Sequence, residues 1–256
     1  MRLLTRLICL FVSQMVWFCS NVPISGNSDR HQRVGQAETS PPFLAVLTAH
    51  GGRHALQEVS AYSIEATRLT YTTPPEFFER KVTIVTQGSK FSRLTTHPSG
   101  VKRQYEIFDD QGQFHSWSVL SDERGGSIEK KGAADADTLR SVRFSVETFN
   151  LLPLLVRLAE ASSQARFVER TPAALDKFIV AVRGREWAVY TDITHLIRRI
   201  EFEGKVFEFA NYAQAGDLQL PLFQRVLLGD RPVFDMMFSR IDLNPELAQD
   251  YFNPAA

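Results

Sequence analysis

Apolar and polar positions change their period three times along the chain. Phe43, Leu44, Val46 and Leu47, then Leu56 and Val59, recur at helix-face spacing behind Pro41-Pro42, with Gly51-Gly52 between them. This spacing predicts a helix, a glycine break and a short second turn. From residue 60 to about residue 120 the pattern alternates instead: Tyr62, Ile64 and Ala66, then Val82 and Ile84, Tyr105 and Ile107, and His115, Trp117 and Val119. A period of two places alternate side chains on one face of a half-buried strand. Thr73-Pro74-Pro75, Gln87-Gly88-Ser89, His97-Pro98-Ser99-Gly100, Asp109-Asp110-Gln111-Gly112 and Asp122-Glu123-Arg124-Gly125-Gly126 separate these runs with turn chemistry. Successive strands without intervening helices form hairpins, so an antiparallel meander is expected.

The middle returns to helical spacing. Ala136, Leu139 and Val142 share a face between Asp135 and Glu147, and residues 150–159 are the most apolar stretch after residue 40. Pro153 suits the first turn of a helix there, since the first N–H groups of a helix have no partner inside it. A helix apolar on nearly every side belongs against the sheet or in its mouth. Strands then resume over 166–169, 177–183, 185–191, 196–203, 205–212, 222–228 and 234–243, punctuated by Gly184, Asp192-Ile193-Thr194, Glu203-Gly204 and Gly229-Asp230. The whole reads as mainly β with some helix (α+β), with about ten to twelve strands.

The ends add a compartment. Arg2 and Arg6 precede an apolar run over 7–18, the order of a secretory signal peptide, with cleavage expected between Ser20 and Ser25. The run is shorter than the roughly 20 apolar residues that span a bilayer. Acylation of Cys19 is the weaker alternative, because bulky Phe18 stands where a lipobox has a small residue. Cys9 and Cys19 are the only cysteines, so a chain cleaved after them carries no disulfide, no Cys nucleophile and no Cys-ligated zinc. Residues 21–40, rich in Ser, Asn, Gln and Gly, read as a tether, and 41–256 as one domain. The chain has 29 basic and 29 acidic residues; losing Arg2 and Arg6 leaves 27 against 29, a net of −2. Without a basic stripe, nucleic acid is not an expected partner.

The order of leader, helix, strands, Pro-containing helix and strands resembles the bacterial lipoprotein-carrier family, the LolA/LolB-like proteins. Three stretches carry the likeness. Ala188-Val189-Tyr190-Thr191-Asp192-Ile193-Thr194-His195-Leu196-Ile197-Arg198-Arg199-Ile200 is similar to the family's strand, aspartate turn and strand. Residues 149–158, with Pro153, resemble its loop-and-helix insertion. Leu243-Asn244-Pro245-Glu246-Leu247 through Phe252-Asn253-Pro254 resemble its ending. Where the carrier has a basic residue followed by proline early in its sheet, this chain reads Thr86-Gln87-Gly88-Ser89-Lys90-Phe91, so no transfer residue is carried over. The resemblance implies a curved antiparallel sheet forming an open half-barrel, with helices covering the concave side and an apolar hollow that can hold acyl chains. It also implies a periplasmic location and transient contact with a membrane or membrane protein.

The chain has 19 phenylalanines, and several aromatic residues fall on alternating strand positions. Phe91, Trp117, Phe202, Phe207 and Phe209, with Leu151, Leu155 and Ile200, are the candidate lining of such a hollow. Each methylene buried there contributes about 0.8 kcal/mol. The expected partner is an apolar ligand, a lipid or lipoprotein acyl chain, bound by a monomer. The alternatives are a structural or interaction domain whose core is filled by its own side chains, and a secreted hydrolase with a dispersed site.

Catalytic signatures are missing from the sequence. There is no Gly-x-Ser-x-Gly elbow, Walker loop or Gly-x-Gly-x-x-Gly fingerprint. His50 and His54 have metal-site spacing, but Gly51 stands where the glutamate would be, and a surface or capping role is expected for them. His97, His115 and His195 show no ligand spacing, and Asp109-Asp110 and Asp122-Glu123 read as solvated turn formers. Arg198 and Arg199 alternate across a strand, so at most one can face a hollow. No enzyme activity, cofactor or metal is expected.

Overall fold

Each period found in the sequence becomes an element of matching type. The computed structural model describes residues 43–72, 76–99, 102–109, 112–122, 125–131, 136–148 and 150–253. The leader, both cysteines and the tether lie outside the described residues. Helices α1 (Phe43–Ala49) and α2 (Gly52–Gln57) come first, broken at the glycine pair. Six strands follow: β1 (Ala61–Tyr71), β2 (Phe77–Gln87), β3 (Lys90–Thr96), β4 (Lys102–Phe108), β5 (Phe114–Asp122) and β6 (Gly125–Lys131). After α3 (Ala136–Thr148) and α4 (Leu151–Ala161) come β7 (Arg166–Arg170), β8 (Asp176–Val182), β9 (Arg185–Thr191) and β10 (Ile197–Phe202). The last strands are β11 (Lys205–Ala215), β12 (Leu218–Leu228) and β13 (Arg231–Leu243).

All thirteen described strands form one sheet in the order β6-β5-β4-β3-β2-β1-β13-β12-β11-β10-β9-β8-β7. Two meanders are therefore joined at their centre by the antiparallel β1–β13 pair, in which Tyr62 faces Leu243 and Thr70 faces Phe234. Among the described residues β6 and β7 are each paired on one side only, so the sheet is an unclosed barrel. Tight turns explain the meander. Arg183-Gly184 and Glu203-Gly204 have positive φ at both positions, the geometry whose twist matches two flanking strands.

The strand count exceeds the expected ten to twelve for local reasons. Gly125 and Gly126 open β6 rather than belonging wholly to a turn. Without changing the count, the strands expected over 205–212 and 222–228 are longer than expected and run on to a two-residue link at Gly216-Asp217. Pro221 sits inside β12 opposite Tyr212, beside Asn211 at φ 56, so the missing N–H falls at an irregularity where the ladder tolerates it.

The helices lie on one face of the sheet. Helix α4 buries Leu151, Leu152, Leu154, Leu155, Leu158 and Ala161, and its neighbours include β8 and β12. Asn150 caps it, its side-chain oxygen accepting from Leu152 N at 2.7 Å, and Pro153 falls within the first turn as expected. The same cluster takes Phe43, Val46 and Leu47 from α1 and in-phase strand residues such as Tyr62, Ile64, Val82, Phe178 and Val180. On the opposite face a small second cluster forms where Val85 and Ile107 meet Phe252 of the C-terminal segment, with Trp117 and Leu247 against it.

Candidate functional site

Following the inner face along β1 shows where the core stops. Tyr62, Ile64 and Ala66 are buried under the helices, but the next positions in the same phase are Arg68 and Thr70. The same change occurs on β3, from Phe91 to Arg93 and Thr95, and on β4, from Phe108 to Glu106 and Gln104. Strands keep their side-chain phase, so this end of the inner face is polar where the other end is apolar.

A cleft of about 300 Å³ opens at that boundary. Phe144 and Thr148 of α3, Phe207 of β11, Val226, Leu227 and Leu228 of β12, and Val233 and Phe234 of β13 line it, with Arg68, Arg93 and Lys205 at its edge. A second cleft of about 220 Å³ adjoins it through Arg68 and Arg93, and its other lining residues are Thr70, Phe78, Arg80, Thr95, Gln104 and Glu106. One compartment is mainly apolar; its neighbour is polar and cationic.

The cations are held over rings. The Arg68 guanidinium lies 4.5 Å from the Phe234 ring centroid and Lys205 Nζ lies 4.1 Å from that of Phe144. Arg93 donates from Nε to Glu106 Oε2, and both side chains are largely buried. Arg68 Nε is buried and has no hydrogen-bond partner among the described residues. Burial, with the nearby Arg93 and Arg80 guanidinium groups, draws the Arg68 pKa down from 12.5 to about 10 against the pull of Glu106. It remains a cation at neutral pH.

The candidates chosen from sequence fall in four places. Phe207 lines the apolar cleft. Phe202 lines a different, charged cleft of about 260 Å³ with Glu147, Arg157, Arg183, Arg185 and Glu203, and its ring stacks between Trp187 and Phe207 at 4.3 and 5.2 Å. Phe91, Leu151, Leu155, Ile200 and Phe209 are buried in the main cluster under the helices. Trp117 is on the opposite face, stacked on Tyr105 at 5.1 Å. Sequence reasoning missed Arg68, Arg93, Phe144, Lys205 and Phe234. Arg68 was signalled by its phase, as a charge continuing the Tyr62-Ile64-Ala66 series.

The histidines separate by environment. His54 is exposed and pairs with Glu58 at 3.1 Å. His50, expected at the surface, is instead 0% exposed. Its Nδ1 lies 2.8 Å from the Gln219 carbonyl, and its Nε2 accepts from Ile197 N at 3.1 Å. A carbonyl can only accept, so Nδ1 carries the proton and the ring is a neutral strut between α1 and strands β10 and β12. The helix break allows this close approach: Gly51 has φ 106, and a Cβ there would lie 2.3 Å from the Asp217 carbonyl oxygen. Tyr212 OH donates to Ile197 O beside it. The aspartate turn of the second half is also built: Asp192 accepts from Thr194 N at 2.9 Å and from Arg198 Nε at 2.6 Å. Arg199 pairs with Glu201, so the structure gives both adjacent arginines carboxylate partners. Among the described residues no group of His, Cys, Asp and Glu could hold a metal ion, and no helix is long and apolar enough to cross a membrane.

No family profile and no curated protein matches the sequence. Solved structures do match in shape. A DUF1329 family protein from Desulfovibrio piger ATCC 29098 superposes with a TM-score of 0.51 at 11% identity, covering 84% of this chain and 96% of its own. A LolA superfamily protein from Nitrosomonas europaea gives a TM-score of 0.49 at 9% identity, covering 82% and 97%. The chain shares its fold with the DUF1329 protein. At these identities the likeness establishes the fold, an open antiparallel sheet with helices on one face, and brings no residue role with it. The clefts of this chain therefore have to be read from its own side chains.

Proposed function

We propose that the protein is an exported binding or carrier protein that holds an apolar ligand, a lipid or acyl chain, in the cleft between α3 and strands β11 to β13. The carrying observation is the mainly apolar cleft of about 300 Å³ at the edge of the core that the helices form on the inner face of the sheet. That volume is at the lower end of the roughly 300–1,000 Å³ of small-molecule sites, so it fits one chain rather than two. Export to the periplasm accords with the leader-like residues 1–20. The protein works on this reading as a non-enzymatic monomer, and contact with a membrane or membrane protein serves loading and release.

Native mass spectrometry of protein purified from membranes tests the reading, with a fluorescent fatty acid as the solution probe. Wild type is expected to retain lipid and bind the probe. Val226→Trp, which fills the cleft from β12, is expected to lose both while keeping its circular dichroism spectrum. Wild-type protein that neither retains lipid nor binds the probe leaves a structural or interaction domain with a filled core as the surviving account. Turnover in an esterase, peptidase and glycosidase screen, abolished by one Ser, Asp or His substitution, would overturn the non-enzymatic part.

A further inference from the structure

The polar compartment beside the apolar cleft has a charge imbalance that the described residues leave uncorrected. Arg68, Arg80 and Arg93 line it with a single carboxylate, Glu106, and that carboxylate accepts from Arg93. Arg68 and Arg80 are directly opposite on β1 and β2, an arrangement that like charges disfavour. Arg68 also has the buried Nε without a partner among the described residues. A buried donor without an acceptor is costly, and a cation with a desolvated N–H binds an oxyanion more strongly than it does in water. Arg68 belongs to both compartments, so a headgroup on it leaves the attached chain facing Phe144, Phe207, Val226 and Phe234.

We infer that the site takes a single-chain amphiphile with an anionic headgroup, a carboxylate or phosphate, bound by Arg68 with Arg80 and Arg93 beside it. This rests on the apolar-ligand reading above and adds the headgroup class and its counter-ion. The positive cluster also selects against neutral lipids, which bring no oxyanion to relieve the Arg68–Arg80 repulsion.

Titration calorimetry of the full chain with decanoate, 1-decanol and inorganic phosphate separates the claims. Decanoate is expected to bind about tenfold or more tighter than 1-decanol, the scale of one charge-assisted hydrogen bond. Arg68→Gln should abolish that preference, so that decanoate and 1-decanol bind with equal affinity. Should Arg68→Gln fail to fold, Arg80→Gln decides, since Arg80 is exposed and its loss is expected to lower the preference for decanoate over 1-decanol about threefold, an unchanged preference overturning the headgroup inference. Equal affinity for decanoate and 1-decanol would overturn the headgroup inference while the apolar-ligand reading stands. Phosphate binding as tightly as decanoate would make this a free-anion site and overturn the amphiphile. Binding of neither decanoate nor 1-decanol would remove the underlying reading as well.

Discussion

Protonating His50 would remove the lone pair that accepts Ile197 N–H, because Nδ1 already carries a proton for the Gln219 carbonyl. Burial lowers its pKa from 6.5 to about 4, only partly offset by the Gln219 bond and the Asp192 charge. The unfolded chain therefore takes up this proton first as pH falls. Stability from the neutral ring is complete above about pH 6.5, declines as pH falls towards 4 and is lost below that. The expected loss is about 3 kcal/mol, by the usual conversion of about 1.36 kcal/mol per unit. Urea unfolding measured from pH 7 to pH 4 should show this decline, and His50→Gln should flatten it. The same slope in both proteins would assign it to other groups. Asp192 falls in a separate window: burial raises its pKa, but bonds from Thr194 and Arg198 outweigh this and hold it below 3.8. Its contribution is present above that range and lost only at more acid pH.

Helix α4 ties its cap, its apolar body and the sheet together. Asn150 accepts Leu152 N–H at the start of the helix, so Asn150→Ala is expected to cost about 1 kcal/mol. Leu155 is 0% exposed, and Leu155→Ala is expected to cost about 2–5 kcal/mol by leaving a cavity under the helix. Chemical denaturation measures both; a Leu155 effect below that of Asn150 would mean that α4 is loosely seated. This element was legible in the sequence because its apolar density exceeds one helix face and Pro153 marks its start. Residues 188–200 were legible for a similar local reason, since Asp192 bonds within its own turn. Less legible were the far ends of β11 and β12, where polar Gln214 and Gln219 resemble a loop but are partners in the ladder.

Across the molecule, the antiparallel order places β1 and β13 at the centre and β6 and β7 at the rims. A rim strand can open without breaking pairing on both sides, so local stability should fall from centre to edge. Hydrogen exchange is expected to be slowest in β1, β12 and β13 and fastest in β6 and β7; uniform protection would indicate that the rims are covered by a partner.

The sequence by itself determined the strand and helix types, most of the turns, the buried character of α4 and the phase that puts Arg68 on the inner face. Those properties depend on a few neighbouring residues, with periods of about two or 3.6. Tertiary structure decided how far the helices cover that face, and thus that Phe91, Leu151, Ile200 and Phe207 are all core, with Phe207 alone of these also lining the apolar cleft. It also made His50 a buried strut to Ile197, 147 positions away. Coverage of a surface is a relation between distant segments, and each burial there follows from which other side chains arrive first to exclude water.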